Sequence, residues 1–123
     1  MPLNIKSRVE DSFAILELAG QLTVGPALGG LRHDARKLLG SPKLSGLILQ
    51  VSEITAADSA GLGELTLVYT MATKRGCPIR LVEVNPHLRK MLEVTHLDGL
   101  LPSAADIDTA KEDMKHALSE PLA

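Results

Sequence analysis

The chain has 123 residues, 45% of them hydrophobic and 23% charged, which is one domain's worth of chain and enough to bury a core without disulfides or metal. Thirteen Lys and Arg against fifteen Asp and Glu leave a net charge of −2, which exerts no strong pull on nucleic acid or anionic membrane. Phe13 and Tyr69 are the only aromatic residues, too few for a base-stacking platform.

Leu3 to Val9 reads as a strand, with Leu3, Ile5 and Val9 on one face and Lys6 and Arg8 on the other. Glu10-Asp11-Ser12 is turn-like. Phe13 to Ala19 is more apolar, with Glu17 its one charge, so the two segments form a predicted hairpin. Gly20 is expected to end the second strand. Pro26 suits the first turn of a helix, and Leu28, Leu31, Ala35 and Leu38 follow at helical spacing. Gly40-Ser41-Pro42 stops that helix. Leu44 to Val51 contains Leu47-Ile48-Leu49, a run suited to a strand buried on both faces.

A second helix follows Asp58-Ser59, with Leu62, Leu65, Val68 or Tyr69, and Ala72 on one face. Lys74 and Arg75 complement its dipole, and Gly76 stops it. Ile79 to Val84 reads as a strand. Asn85-Pro86 supplies the cap and first residue of a third helix, carried by Leu88, Met91, Leu92 and Thr95. Leu100-Leu101 reads as a short edge strand ended by Pro102. Asp106 and Asp108 open a final helix with the stripe Ile107, Ala110, Met114 and Leu118; Lys111, Lys115 and His116 lie toward its end. No repeat or linker interrupts this order, so residues 1–123 are expected to form one domain. Strands alternating with helices point to an α/β fold. The expected architecture is a four- or five-stranded mixed sheet covered by about four helices.

Location is read from three features. The lone Cys77 cannot form an internal disulfide, which favours a reducing compartment. Met1 to Glu10 carries charges where a signal peptide needs an apolar run. No apolar run approaches the ~20 residues of a spanning helix. A cytoplasmic protein is expected.

The most informative segment is Asp58-Ser59-Ala60-Gly61-Leu62-Gly63, between a buried strand and a helix. Ligands and modifications gather at the carboxyl ends of strands in such sheets. Asp58 or Ser59 can cap the helix, and capping alone is the simplest reading of Asp-Ser there. Gly61 and Gly63 each cost up to about 1 kcal/mol relative to Ala inside a helix. Either a partner comes close or the helix packs closely against its neighbours. A phosphate on Ser59 would sit at the positive end of a helix, where backbone N–H groups are free. Asp58 beside it would repel the new charge, so such a mark disrupts a docking surface more readily than it locks the fold.

Asp58 to Leu65, read Asp-Ser-Ala-Gly-Leu-Gly-Glu-Leu after the strand Leu47 to Val51, resembles the signature of STAS domains. Ile15 to Leu22 resembles that family's second strand and its glycine exit. Val82-Glu83-Val84-Asn85-Pro86 through Arg89, Leu92 and Leu97 resembles its fourth strand and third helix. The resemblance covers residues 3 to about 118 and implies a single STAS-like domain of the anti-sigma-factor antagonist family.

In bacterial antagonists of that family, the serine at the position of Ser59 is phosphorylated by a partner serine kinase with a histidine-kinase-like ATPase fold. That kinase is also the anti-sigma factor. The unphosphorylated antagonist binds it and frees the sigma factor, phosphorylation blocks the binding, and a phosphatase reverses it. The resemblance thus implies a binding protein and kinase substrate, not an enzyme, with no cofactor and no membrane insertion. Ser59 is the switch, and Asp58, Ala60, Gly61, Leu62 and Gly63, with Thr23, shape the docking surface. A β-branched side chain at Gly61 is expected to stand on that surface. Thr23 stands where relatives often carry an acidic residue, and His96 where many carry a glycine. STAS-like proteins also serve as small subunits of ABC transporters, including lipid transporters, and as signalling scaffolds.

Other motifs are weaker. Gly61-Leu62-Gly63 imitates a dinucleotide fingerprint, with Glu83 about 20 residues on, but Thr66 stands where the third glycine belongs. A Gly-x-Ser-x-Gly hydrolase elbow is absent, because Ala57 replaces its first glycine. His33, His87, His96, His116 and Cys77 show no metal-ligand spacing, and Cys77 reads as a small buried hydrophobe. Lys74-Arg75 and Arg89-Lys90 read as solvated helix faces.

Overall fold

A computed structural model of the chain describes residues 2–119 apart from Pro42. Pro42 and the side chain of Leu118, both used in the sequence reading, lie outside the described residues. The chain starts as a hairpin: β1 (Asn4–Glu10) pairs antiparallel with β2 (Phe13–Leu22). Asp11 and Ser12 turn it with φ of 53° and 68°, the left-handed pair that a two-residue hairpin turn requires. Val9 lies beside that turn on the edge strand and is 60% exposed, not packed with Leu3 and Ile5.

The remaining elements follow in the expected order. They are α1 (Leu28–Leu39), β3 (Gly46–Ala57), α2 (Ser59–Lys74), β4 (Ile79–Val82), α3 (Pro86–Val94), β5 (Ser103–Ala104) and α4 (Ile107–Ser119). The sheet order is β1-β2-β3-β4-β5, and every pairing beyond the hairpin is parallel. Each parallel connection steps to the next neighbour in one direction. Crossovers of one hand therefore place α1, α2 and α3 on one face. Leu16, Leu18, Leu47, Leu49 and Val51 of the sheet join Leu31, Leu65, Val68, Leu88 and Leu92 of these helices in the main core. Each fully buried leucine contributes roughly 1.5–3 kcal/mol, so this layer dominates stability. α4 covers the other face, where Phe13, Ile15, Ile48, Val82, Ala110 and Met114 are all fully buried.

Several boundaries differ from expectation. Gly20 does not end β2; the register against β3 shifts between Glu17 and Ala19 and again between Gly20 and Gln21, and the strand continues to Leu22. Glycine here marks a bulge. Pro26 lies in the turn before α1, closed by the Leu28 N–H donating to Gly25. Leu39 joins the buried residues of that helix, and Leu38 packs partly buried against the core. β3 runs six residues past Val51. β4 stops at Val82, because Glu83 takes φ 56°. β5 follows Pro102 instead of preceding it, and Leu101 is core. Thr95 is exposed as the C-cap of α3.

Lys111 is the other departure. It is buried, and its Nζ donates to Glu10 Oε1 at 2.8 Å and Asp11 Oδ2 at 3.0 Å. It pins α4 to the first hairpin. The Lys111 bond holds Glu10 below its ordinary value, and the two carboxylates raise Lys111. The clamp is complete between the ordinary ranges of a glutamate and a lysine. It is lost as pH falls through the lowered Glu10 value, or rises through the raised Lys111 value. Lys111→Met should lower the urea midpoint at pH 7, and the gap to wild type should narrow toward pH 3. A gap constant across that range would exclude the clamp.

α3 ends in a Schellman turn: Leu97 N–H donates to Leu92 at 2.8 Å and His96 N–H to Glu93 at 3.1 Å. His96 occupies its left-handed position with φ 61°, where glycine fits without strain. His96→Gly should stabilise the protein by up to about 1 kcal/mol, read as a higher midpoint in urea.

Candidate functional site

β3 ends at Ala57 and α2 starts at Ser59, so Asp58 alone joins strand to helix. Its backbone is extended, and its Oδ1 accepts the Gly61 N–H at 2.8 Å, capping the helix. Its Oδ2 accepts the Val24 N–H at 2.9 Å, from the loop between β2 and α1. The Asp58 N–H donates to the Leu22 carbonyl at 3.2 Å, and its carbonyl accepts from Leu62 at 3.0 Å. One residue thus ties β2, the following loop and α2 together. The amide bonds, Val24 first and Gly61 next, hold the Asp58 carboxyl below its ordinary value.

Ser59 is exposed at the first position of α2, at the positive end of the helix dipole. Ala60 and Thr23 are half-buried, and Gly63 is exposed. Gly61 and Leu62 are buried. A Cβ at Gly61 would stand 1.8 Å from the Leu22 carbonyl oxygen, whereas one at Gly63 would meet nothing within 4 Å. The two glycines therefore answer to different causes. Gly61 lets α2 sit on the end of β2, and a side chain there points into β2, not onto the outer surface. Gly61 and Leu62 support the surface from beneath and offer it no contact atoms.

Two features escaped the sequence reading. Val24 is 76% exposed beside this site, and Leu67 is 43% exposed two turns along α2, in line with Ser59 and Gly63 at four-residue spacing. Second, Glu64 is buried against α1, where Arg32 Nε donates to Oε2 at 3.3 Å and Nη2 pairs with Oε1. Each left a signal. Val24 is an apolar residue in a Thr-Val-Gly-Pro loop with no element to bury it. Glu64 falls on the helical face of Gly61, Leu65 and Val68, where a carboxylate needs a partner.

The competing motifs fare differently. Gly61 lies inside α2 and against Leu22, so it cannot cradle a pyrophosphate. Cys77 is buried, and burial pushes its thiol up, away from reactivity. Among the described residues no three His, Cys, Asp or Glu side chains form a metal-holding group, and no helix is long and apolar enough to cross a membrane. A polar concavity of about 320 Å³ lies on the uncovered part of the outer face, lined by Lys6, Glu17, Gln50, Ser52 and Glu53, and does not include Ser59.

Residues 6–102 match the family model described as Mlab, STAS domain. The chain belongs to the STAS family. An anti-sigma factor antagonist candidate from Thermotoga maritima superposes with a TM-score of 0.80 at 21% identity, over 90% of this chain and 94% of that one. A sulfate transporter family protein from Wolinella succinogenes gives 0.72 at 19%, over 92% and 93%. The Bacillus protein SpoIIAA matches in its phosphorylated form at 0.64 and 16%, over 94% and 98%. The anti-sigma factor antagonist SpoIIAA in its unphosphorylated form gives 0.66 and 14%, over 96% and 99%. At these identities the likeness is one of fold: a STAS domain built on a five-stranded mixed sheet with four helices.

The two glycines make a paired prediction. Gly61→Ala should cost about 1–3 kcal/mol or more, as overpacking does, and Gly63→Ala should gain up to about 1 kcal/mol of helix propensity. Urea unfolding of both variants checks it. Equal effects would mean that α2 does not rest on Leu22.

Proposed function

We propose that this STAS domain is a protein-binding regulator of the anti-sigma-factor antagonist type, switched off by phosphorylation at Ser59. The observation that carries the reading is the exposure of Ser59 at the first position of α2 within the family signature. The partner is a serine kinase that is also the anti-sigma factor. The surface it meets is the outer ridge of Ser59, Gly63 and Leu67, flanked by Ala60, Thr23 and Val24. The existence of SpoIIAA in phosphorylated and unphosphorylated forms supports the reading.

The chemistry is phosphoryl transfer performed by the partner. The Ser59 hydroxyl attacks the γ-phosphorus of a nucleoside triphosphate, the anhydride bond breaks, and the nucleoside diphosphate leaves. The hydroxyl proton goes to a base of the kinase. A phosphatase hydrolyses the ester with water. The domain supplies the acceptor and the surface and catalyses neither step. The added charge of roughly −1.5 to −2 arrives at the head of a ridge that includes exposed Leu67, where a closely packed partner cannot solvate it.

Ser59→Asp should weaken binding to the kinase-type partner, while Ser59→Ala should bind like wild type and resist switching. Pull-down from the native cytosol with wild type and Ser59→Asp as paired baits, followed by calorimetry on the captured protein, measures both. Equal affinity of the Asp variant counts against the switch. An ABC ATPase or another STAS protein held equally by both baits would make the domain a constitutive subunit.

A further inference from the structure

The loop from Thr23 to Ala27 carries the most exposed apolar side chain beside the switch, Val24. Two bonds run to the adjoining start of α1: Leu28 N–H to Gly25 and Gly30 N–H to Ala27. Among the described residues, the hydrogen bond that ties this loop to a segment distant in sequence is Val24 N–H to Asp58 Oδ2, across 34 positions. The other oxygen of the same carboxylate caps the helix that begins with Ser59. The Asp58 main chain is fixed at both ends, its N–H on Leu22 and its carbonyl on Leu62. Any response of Asp58 to a change next door therefore passes through its side chain, which holds Val24.

We infer that Asp58 is a positioning residue that couples the state of Ser59 to the Val24 loop: charge added at Ser59 draws the Asp58 carboxylate off the Val24 amide and frees the apolar tip of the loop. This rests on the reading that Ser59 is phosphorylated. The phosphate repels the neighbouring carboxylate. The switch then acts twice on one surface, by placing charge on the ridge and by releasing the hydrophobic residue at its side.

The test uses the full chain with phosphoserine installed at position 59, the unmodified chain, and both again carrying Asp58→Asn. Solvent exchange of the Val24 amide is measured by NMR, with the pH titration of the Val24 and Gly61 amide shifts. Phosphoserine should speed Val24 exchange about tenfold, the scale of one hydrogen bond to a charged group. Asp58→Asn should speed it without phosphoserine, and phosphoserine should then add nothing. In the unmodified chain the Val24 and Gly61 shifts should titrate together below the ordinary carboxylate range, and phosphoserine should abolish the Val24 titration. A merely structural Asp58 would move exchange but leave the effects additive. If Asp58→Asn folds too poorly, Asp58→Ser replaces it, since serine caps a helix yet is too short to reach Val24. Unchanged Val24 exchange in the folded phosphoserine chain overturns the coupling, as does an undiminished further rise in the Asp58 variant. Loss of the kinase partner with Val24 exchange unchanged would refute the coupling and leave the switch standing. Faster Val24 exchange with partner affinity unchanged would support the coupling and refute the switch.

Discussion

The first turn of α2 rests on the last residue of β2, and the arrangement of the whole rim depends on that contact. The Leu22 carbonyl takes the Asp58 N–H and lies where any Cβ at Gly61 would have to be. With no side chain at Gly61, helix and strand touch backbone to backbone. Asp58 is then close enough for its carboxylate to span from Gly61 to Val24. The exposed residues of the rim inherit their positions from this seat: Ser59 and Gly63 from the phase of α2, Val24 from the Asp58 bond. Arg32 and Glu64 add a second tie between α1 and α2, one turn further in. The site is thus a rigid floor of buried glycine and leucine beneath a thin layer of exposed side chains.

Most of the fold was legible because its signals are local and repeated. The run Leu47-Ile48-Leu49 suits a strand covered on both sides, and it is one, with the main core on one face and α4 on the other. The helical stripes of α2 and α3 located those helices, and Asn85-Pro86 marked a start that the structure keeps. Boundaries failed where a residue has two uses. Glycine both ends strands and bulges them, so Gly20 misled. Proline both opens helices and turns the chain before them, so Pro26 did too. The edge strand was placed on Leu100-Leu101 because apolar residues suggest sheet. Leu101 is core instead, and the two-residue strand after Pro102 has almost no pattern of its own.

The site was legible as a segment and illegible as a surface. A cap at Asp58 or Ser59 and two glycines in one turn follow from type and spacing; that Asp58 caps and Ser59 stands exposed comes from the structure. Which glycine faces inward does not follow from spacing either, because it depends on where β2 ends, and the bulge at Gly20 sets that. The Val24–Asp58 bond joins residues 34 positions apart, a distance at which no periodicity operates. Lys111 shows the same limit. In the sequence it reads only as a basic residue toward the end of its helix, yet it lies in the first half and is buried, because Glu10 and Asp11 stand opposite in space.

The borders of the sheet carry a consequence of their own. Edge strand β1 carries Lys6, Arg8 and Glu10 on one face, and Arg8 is bonded to both Glu10 and Glu17. β5 at the opposite border is two residues long. Neither invites another strand to extend the sheet. Association is left to helix faces, where recognition runs through side chains and not through a ladder of backbone groups. A backbone ladder is nearly indifferent to the chemistry of any one residue. A helix face can be rewritten by altering a single hydroxyl, so a domain whose sheet borders are charged on one side and two residues long on the other is well suited to recognition through its helices.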